Sequence, residues 1–191
     1  MEITSILPIL KTDRLIVRLA ERKDRDTVLA YYRENRQHLQ PFNPTWPSDF
    51  LTKPFWDRQV DLNVDEFYAD MSARMFVFLK TEPHIAIGNV GLSGIMRNAA
   101  QFCFLGYGIS RDMQMRGLMS EAVSAVVQYG FTDLNLHRIM ANYVPTNERS
   151  GKLLRRLGFT VEGYARDYLY IDGEWKDHVM TSITNQNWKP E

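Results

Sequence analysis

Residues 104–127 read FLGYGISRDMQMRGLMSEAVSAVV, and their reading decides the fold. A strand over 102–109, rich in aromatic and aliphatic residues, is broken by Gly106 and Gly108. A polar turn over 110–116 follows, and a helix runs from about Gly117 to Thr132. Leu118, Ala122, Ala125, Val126 and Tyr129 recur at spacings of three and four, so they share one helix face. The first amides of a helix lack internal partners and sit at the positive end of its dipole. Gly117 lets a ligand approach that end because no Cβ stands in the way. With Arg116 beside it, the turn suits an anion such as a pyrophosphate, although a glycine here also serves as a plain turn residue. The dinucleotide fingerprint G-x-G-x-x-G and the P-loop Gly-Lys-Ser/Thr are both absent.

Working outward, 15–19 predicts a first strand, 24–39 a helix, 56–72 a second helix, and 75–80 and 85–95 two strands joined by a turn at Pro83 and His84. Arg138 opens a further strand to 143, and 147–157 a helix burying Leu153, Leu154 and Leu157. Strands over 160–171 and 175–184 flank Asp172-Gly173, a strong hairpin signal. Between them 41–56 carries four prolines and the aromatics Phe42, Trp46, Phe50, Phe55 and Trp56. These predict a stiff loop that either lines a groove or forms a small satellite core. The order is mixed α/β, antiparallel strands first and then strand–helix–strand units, with no repeat or linker, so residues 1–191 are expected to form one domain.

The 191 residues balance 23 basic against 23 acidic side chains. No net field draws the chain to nucleic acid or to an anionic membrane. Cys103 stands alone, which fits a reducing cytoplasm, and its place in a buried strand favours a core role over a nucleophile. No apolar run approaches the roughly 20 residues that span a bilayer. The opening MEITSILPILKTDR lacks the basic segment of a secretory leader. His84, His137 and His178 lack metal-site spacing, so no metal is expected.

Gln114-x-x-Gly117-x-Met119 resembles the acyl-coenzyme A pyrophosphate loop of the GNAT N-acetyltransferases, with Met119 in place of the usual small last residue. HRIMANY at 137–143, NERS at 147–150, LGF at 157–159 and DYLYIDGEW at 167–175, followed by Asp177-His178-Val179, resemble the RimJ/RimL branch of that family. The resemblance is looser over 41–74. It implies a central mixed, mostly antiparallel sheet of about seven strands flanked by helices, its fourth and fifth strands splayed to admit acetyl-CoA. It further implies acetyl transfer to the N-terminal α-amino group of a ribosomal protein, the alanine of the small-subunit protein numbered five. The cosubstrate would meet Ile109 and Ser110 through the backbone, the amides of Gln114, Met115, Arg116, Gly117, Leu118 and Met119 through its pyrophosphate, and Asn147 and Ser150 through its pantetheine arm. Asn147 is equally placed to cap its helix, and Lys152, Arg155 and Arg156 are candidates for the adenosine phosphates.

Transfer to an amine needs a held thioester, a neutral amine, an oxyanion partner and a proton for the leaving thiolate. In the RimL pattern Ser150 is the candidate acid, or it orients the sulfur. The tyrosine that other members place seven residues after the asparagine is Leu154 here. A free α-amine has a pKa of about 7.7–8.0 and needs little help. Glu66 and Asp177, with Asp70 and Glu121, are the candidate bases. A polyamine or aminoglycoside acceptor would want an acidic groove, and 41–56 offers only Asp49. A non-catalytic, coenzyme A-binding ribosome module is the reading from a different class. Monomer and homodimer both remain open; neither a membrane nor direct nucleic-acid contact is required.

Overall fold

A computed structural model describes residues 7–190. The expectation about the N-terminal leader falls largely on residues 1–6, outside the described residues. The chain runs β1 (Ile9–Lys11), β2 (Leu15–Leu19), α1 (Arg25–Glu34), α2 (Arg36–Leu39), α3 (Lys53–Tyr68), β3 (Ser72–Leu79), β4 (Glu82–Met96), β5 (Phe102–Ile109), α4 (Leu118–Thr132), β6 (Arg138–Met140), α5 (Glu148–Arg156), β7 (Thr160–Ile171) and β8 (Glu174–Thr184). The strands form one eight-stranded sheet in the order β1-β2-β3-β4-β5-β6-β8-β7. Every pair is antiparallel except β5 with β6. The strand beyond the expected seven is β1, three residues paired at the sheet edge and too short to show a period.

Strand alternation divides the core. Leu15, Val17 and Leu19 of β2 pack under α4 with Ala122, Val123 and Val126. The opposite face carries Phe76 and Phe78 of β3 against Val28, Leu29 and Tyr31 of α1 and Trp56 and Val60 of α3. The aromatic loop joins this second core: Trp46 stacks on Phe50 at 4.5 Å, and Tyr32 on Trp56 at 4.9 Å. Of the two roles the sequence offers that loop, a satellite core is the one realised, and only Phe42 of its aromatics reaches the cleft described below.

Several element boundaries differ from the sequence reading: the second helix ends at Tyr68 and not at 72, the strand expected over 75–80 starts at Ser72, and the strand expected over 138–143 ends at Met140. The single helix expected over 24–39 breaks at Asn35, whose buried side chain turns away to bind the segment after β5. Helix α3 starts at Lys53, because Thr52 accepts from the Phe55 amide and Pro54 fits the first turn, where its missing N–H costs nothing. The β3–β4 turn is Lys80-Thr81, not Pro83 and His84. Pro83 lies inside β4 at a stretch that β5 does not reach, so no ladder bond is lost. The hairpin at Asp172-Gly173 forms as expected, both residues having the positive φ that a two-residue turn of this twist requires.

Candidate active site

Strands β5 and β6 pair only from Phe102–Arg138 to Phe104–Met140. Beyond Met140 the chain leaves β5 for β8, where the Ala141 amide donates to the Thr181 carbonyl and Tyr143 bridges Val179. The gap is a cleft of about 750 Å³ between residues 105–109 and 141–144. The starts of α4 and α5 wall it on one side of the sheet, and His38, Leu39, Phe42 and Asn43 on the other.

The α4 start is built by backbone conformation. Met115 and Gly117 both have positive φ, 60° and 76°, and Gly117 is the residue before the first helical turn. The amides of Gly117, Leu118, Met119 and Ser120 donate to no backbone carbonyl among the described residues. Four convergent unpaired amides at the positive end of a fifteen-residue helix fit a pyrophosphate. The Gln114 amide is taken by the Arg111 carbonyl. Arg14 holds the loop from outside: one guanidinium nitrogen donates to the Arg116 carbonyl at 2.9 Å, while Nε meets Glu121 at 2.7 Å.

Ile109, Gln114, Met115, Gly117, Leu118, Met119, Asn147 and Ser150 line the cleft; Ser110 and Arg116 do not. The Ser110 amide donates to the Ile87 carbonyl, and its hydroxyl oxygen accepts from Asn35. Asn147 caps α5, its Oδ1 accepting from the Ser150 amide at 3.2 Å, and its Nδ2 has no acceptor among the described residues. Lys152 and Arg156 reach the cleft wall, and Arg155 does not. Arg149 joins them and donates to the Gln114 side chain, which also contacts His38 Nε2 at 2.7 Å.

Ser150 Oγ lies 2.7 Å from the hydroxyl of Tyr107, a residue the sequence reading did not single out. Burial pushes the Tyr107 phenol up to about 12, the bond to Ser150 pulling the other way. The pair therefore stays protonated at working pH and presents two linked hydroxyls. Leu154 is buried and adds only apolar surface to the cleft wall, so no hydroxyl stands at that place. The sequence signal for Tyr107 was its alternation with Gly106 and Gly108, which turns it toward α5.

None of the candidate carboxylates lines the cleft. Burial tends to raise the Glu66 carboxyl, but the bonds from Ser72 and Arg74 outweigh it and leave the group below its ordinary value. Glu121 behaves likewise: burial is offset by Thr12 and by the Arg14 amide and guanidinium, which make it a tie between α4 and the β1–β2 turn. Asp177 accepts from the Tyr164 hydroxyl and the Asp167 amide, which lower its pKa. Asp70 pairs with Arg97 at 2.5 Å. Cys103 is fully buried, its thiol pushed up to about 12 by burial, as befits a core residue. Among the described residues no three His, Cys, Asp or Glu side chains gather as a metal site.

Residues 14–160 match the acetyltransferase (GNAT) domain. The [ribosomal protein uS5]-alanine N-acetyltransferase of Escherichia coli K12 is 42% identical over 181 residues, covering 95% of this chain and 93% of that protein. A crystal structure of ribosomal-protein-S5-alanine acetyltransferase from Vibrio fischeri superimposes with a TM-score of 0.91 at 37% identity, over 96% of this chain and 100% of the other. The fold is shared with Mycobacterium smegmatis RimJ in complex with CoA-disulfide, TM-score 0.86 at 22% identity over 97% and 90% of the two chains.

Proposed function

Because this chain belongs to the GNAT acetyltransferase family and is an acetyl-CoA-dependent N-acetyltransferase, we propose that its acceptor is the N-terminal alanine of ribosomal protein uS5. The 42% identity to the E. coli enzyme of that name over nearly the whole of both chains carries this reading. The cleft supports it. Among the described residues its walls hold a single carboxylate, Glu148, which is exposed and paired with Lys152. A polyamine or aminoglycoside would bring several positive charges to a site with almost nothing to balance them. A peptide N-terminus brings one charge, and near neutral pH a fraction of it is already uncharged.

The α4 amides hold the pyrophosphate, with Arg149, Lys152 and Arg156 adding charge. Asn147 and the Ile109 backbone hold the pantetheine arm, and their fixed placement brings the thioester within reach of an amine. Ser150, linked to Tyr107, meets the sulfur and hands it a proton as the carbon–sulfur bond breaks. Such an enzyme works in the cytoplasm, where ribosomal proteins are made.

The test is mass spectrometry of an alanine-initiated uS5 peptide after incubation with acetyl-CoA, beside a peptide with a blocked N-terminus and an internal lysine. One acetyl group on the free N-terminus alone is the expected result. Acetylation of small polyamines with the peptide untouched would overturn the acceptor while leaving the family assignment in place.

A further inference from the structure

The cleft contains two imidazoles, and they differ in what they have free. His38 Nε2 contacts Gln114, and its ring also bonds to the backbone of Ile109. Burial is the largest influence on His38 and lowers its pKa, a direction that Arg149 and Arg111 reinforce. His178, on β8, is 4% exposed and lines the cleft. Its Nδ1 lies 3.0 Å from the Lys176 carbonyl oxygen. A carbonyl only accepts, so Nδ1 carries the proton and Nε2 carries the lone pair. That Nε2 has no hydrogen-bond partner among the described residues, and it is absent from the buried, unsatisfied atoms there.

The ring is also held from the side. Tyr168 of β7 packs on it at 5.3 Å, and the Tyr168 hydroxyl is bound by Asn142 Nδ2 at 3.3 Å. Asp177, next on the strand, is within electrostatic reach but points to the other sheet face and is occupied by Tyr164 and Asp167. Lys176 pairs with Glu174. Tyr143 stands beside it through the Tyr143–Val179 bridge. Across the cleft stand Tyr107, His38 and the α5 group of Glu148, Arg149, Lys152 and Arg156. Among the described residues the one carboxylate that lines the cleft, Glu148, is paired with Lys152.

We propose that His178 Nε2 is the proton acceptor for the incoming amine. This rests on the acceptor being a primary amine that arrives largely as its ammonium form. The ammonium gives one proton to Nε2, which makes an imidazolium and a neutral amine. The amine lone pair forms the carbon–nitrogen bond at the thioester carbonyl, and the carbonyl π pair moves to oxygen. Collapse restores the carbonyl and breaks the carbon–sulfur bond. The sulfur leaves with that pair and is protonated through the Ser150–Tyr107 hydroxyls, which are reprotonated by the second amine proton. The imidazolium releases its proton to solvent, so the products are amide, thiol and one proton.

The experiment compares wild type with His178→Asn, whose side-chain N–H preserves a donor toward the Lys176 carbonyl but removes Nε2; His178→Gln is the second variant should the first melt early. The rate on the uS5 peptide, and in parallel on a panel of small primary amines, is followed from pH 5.5 to 9, with acetyl-CoA affinity measured separately. We expect unchanged acetyl-CoA affinity, a rate near pH 7 lower by about 10-fold, the factor by which neutral amine is scarce there, and a deficit that closes as the pH passes the amine pKa of about 8. Between neutral pH and the amine pKa the variant's log kcat/KM should climb with a slope approaching one, as neutral amine accumulates, while that of the wild type, which uses the ammonium, should climb less steeply. A variant that keeps the wild-type rate and slope overturns the proposal. So does a deficit of equal size at every pH, which marks a structural role. A wild type that acetylates only a panel amine sinks the uS5 reading alone, and the same profile on that amine then decides His178.

Discussion

At the residue scale the site turns on side chains whose partners are already chosen. Ser150 is a weak acid by itself, and Tyr107, buried with its pKa near 12, shares a proton with it across 2.7 Å. Neither hydroxyl is charged in the working range, so neither causes a loss of rate until the pH approaches the raised phenol value. We expect Ser150→Ala and Tyr107→Phe each to lower kcat by about 10- to 100-fold, with acetyl-CoA affinity nearly intact. Two residues acting as one relay are not additive. The double variant should therefore be no slower than the slower single, as measured by steady-state kinetics; additive losses would mean that the two hydroxyls act separately. The sequence reading found Ser150 from its motif. It could not find Tyr107, because the contact joins residues 43 apart in the chain.

At the element scale the decisive feature is the start of α4. Gly117 has a φ of 76°, and a Cβ there would meet nothing closer than Arg14 at 3.5 Å. Gly117→Ala thus costs backbone strain and not collision, about 1–2 kcal/mol for an L-residue forced into the left-handed region. The expected outcome is a lower Tm and an acetyl-CoA Kd raised several-fold by calorimetry, with Gly117→Asn milder because asparagine tolerates this conformation. An alanine variant with unchanged affinity would remove the amide cradle from the account. This element was legible in the sequence because helix period, glycine and turn are local. The edge strand β1 was not, since three residues carry no period.

At the scale of the whole molecule the cleft exists because one sheet comes apart. Strand β5 keeps β4 as its neighbour while the chain after β6 turns to β8. The walls come from β5, α4, α5, α2 and β8, elements far apart in the chain. A ligand that joins these walls binds the folded chain and not the unfolded one. Acetyl-CoA at about 100 times its Kd should therefore stabilise folding by about 2.7 kcal/mol, read as a rise in Tm that Gly117→Ala diminishes. Absence of any shift would mean that the cleft does not bind it.

Alone, the sequence determined what is local or periodic: the central strand–turn–helix, the capped α5 carrying Asn147 and Ser150, the Asp172-Gly173 hairpin, and the mixed sheet that their order requires. These follow from a few neighbouring dihedrals and side chains. Only the tertiary structure decided which polar groups are free. Glu66, Asp177 and Glu121 look like bases in a string of letters, yet each is tied by hydrogen bonds outside the cleft. Tyr107, Arg149 and His178 look ordinary there, yet the splayed strands bring them to one wall. Whether a group can bind or move a proton depends on its burial and on the partners that already hold it, and those partners are set by contacts between distant parts of the chain.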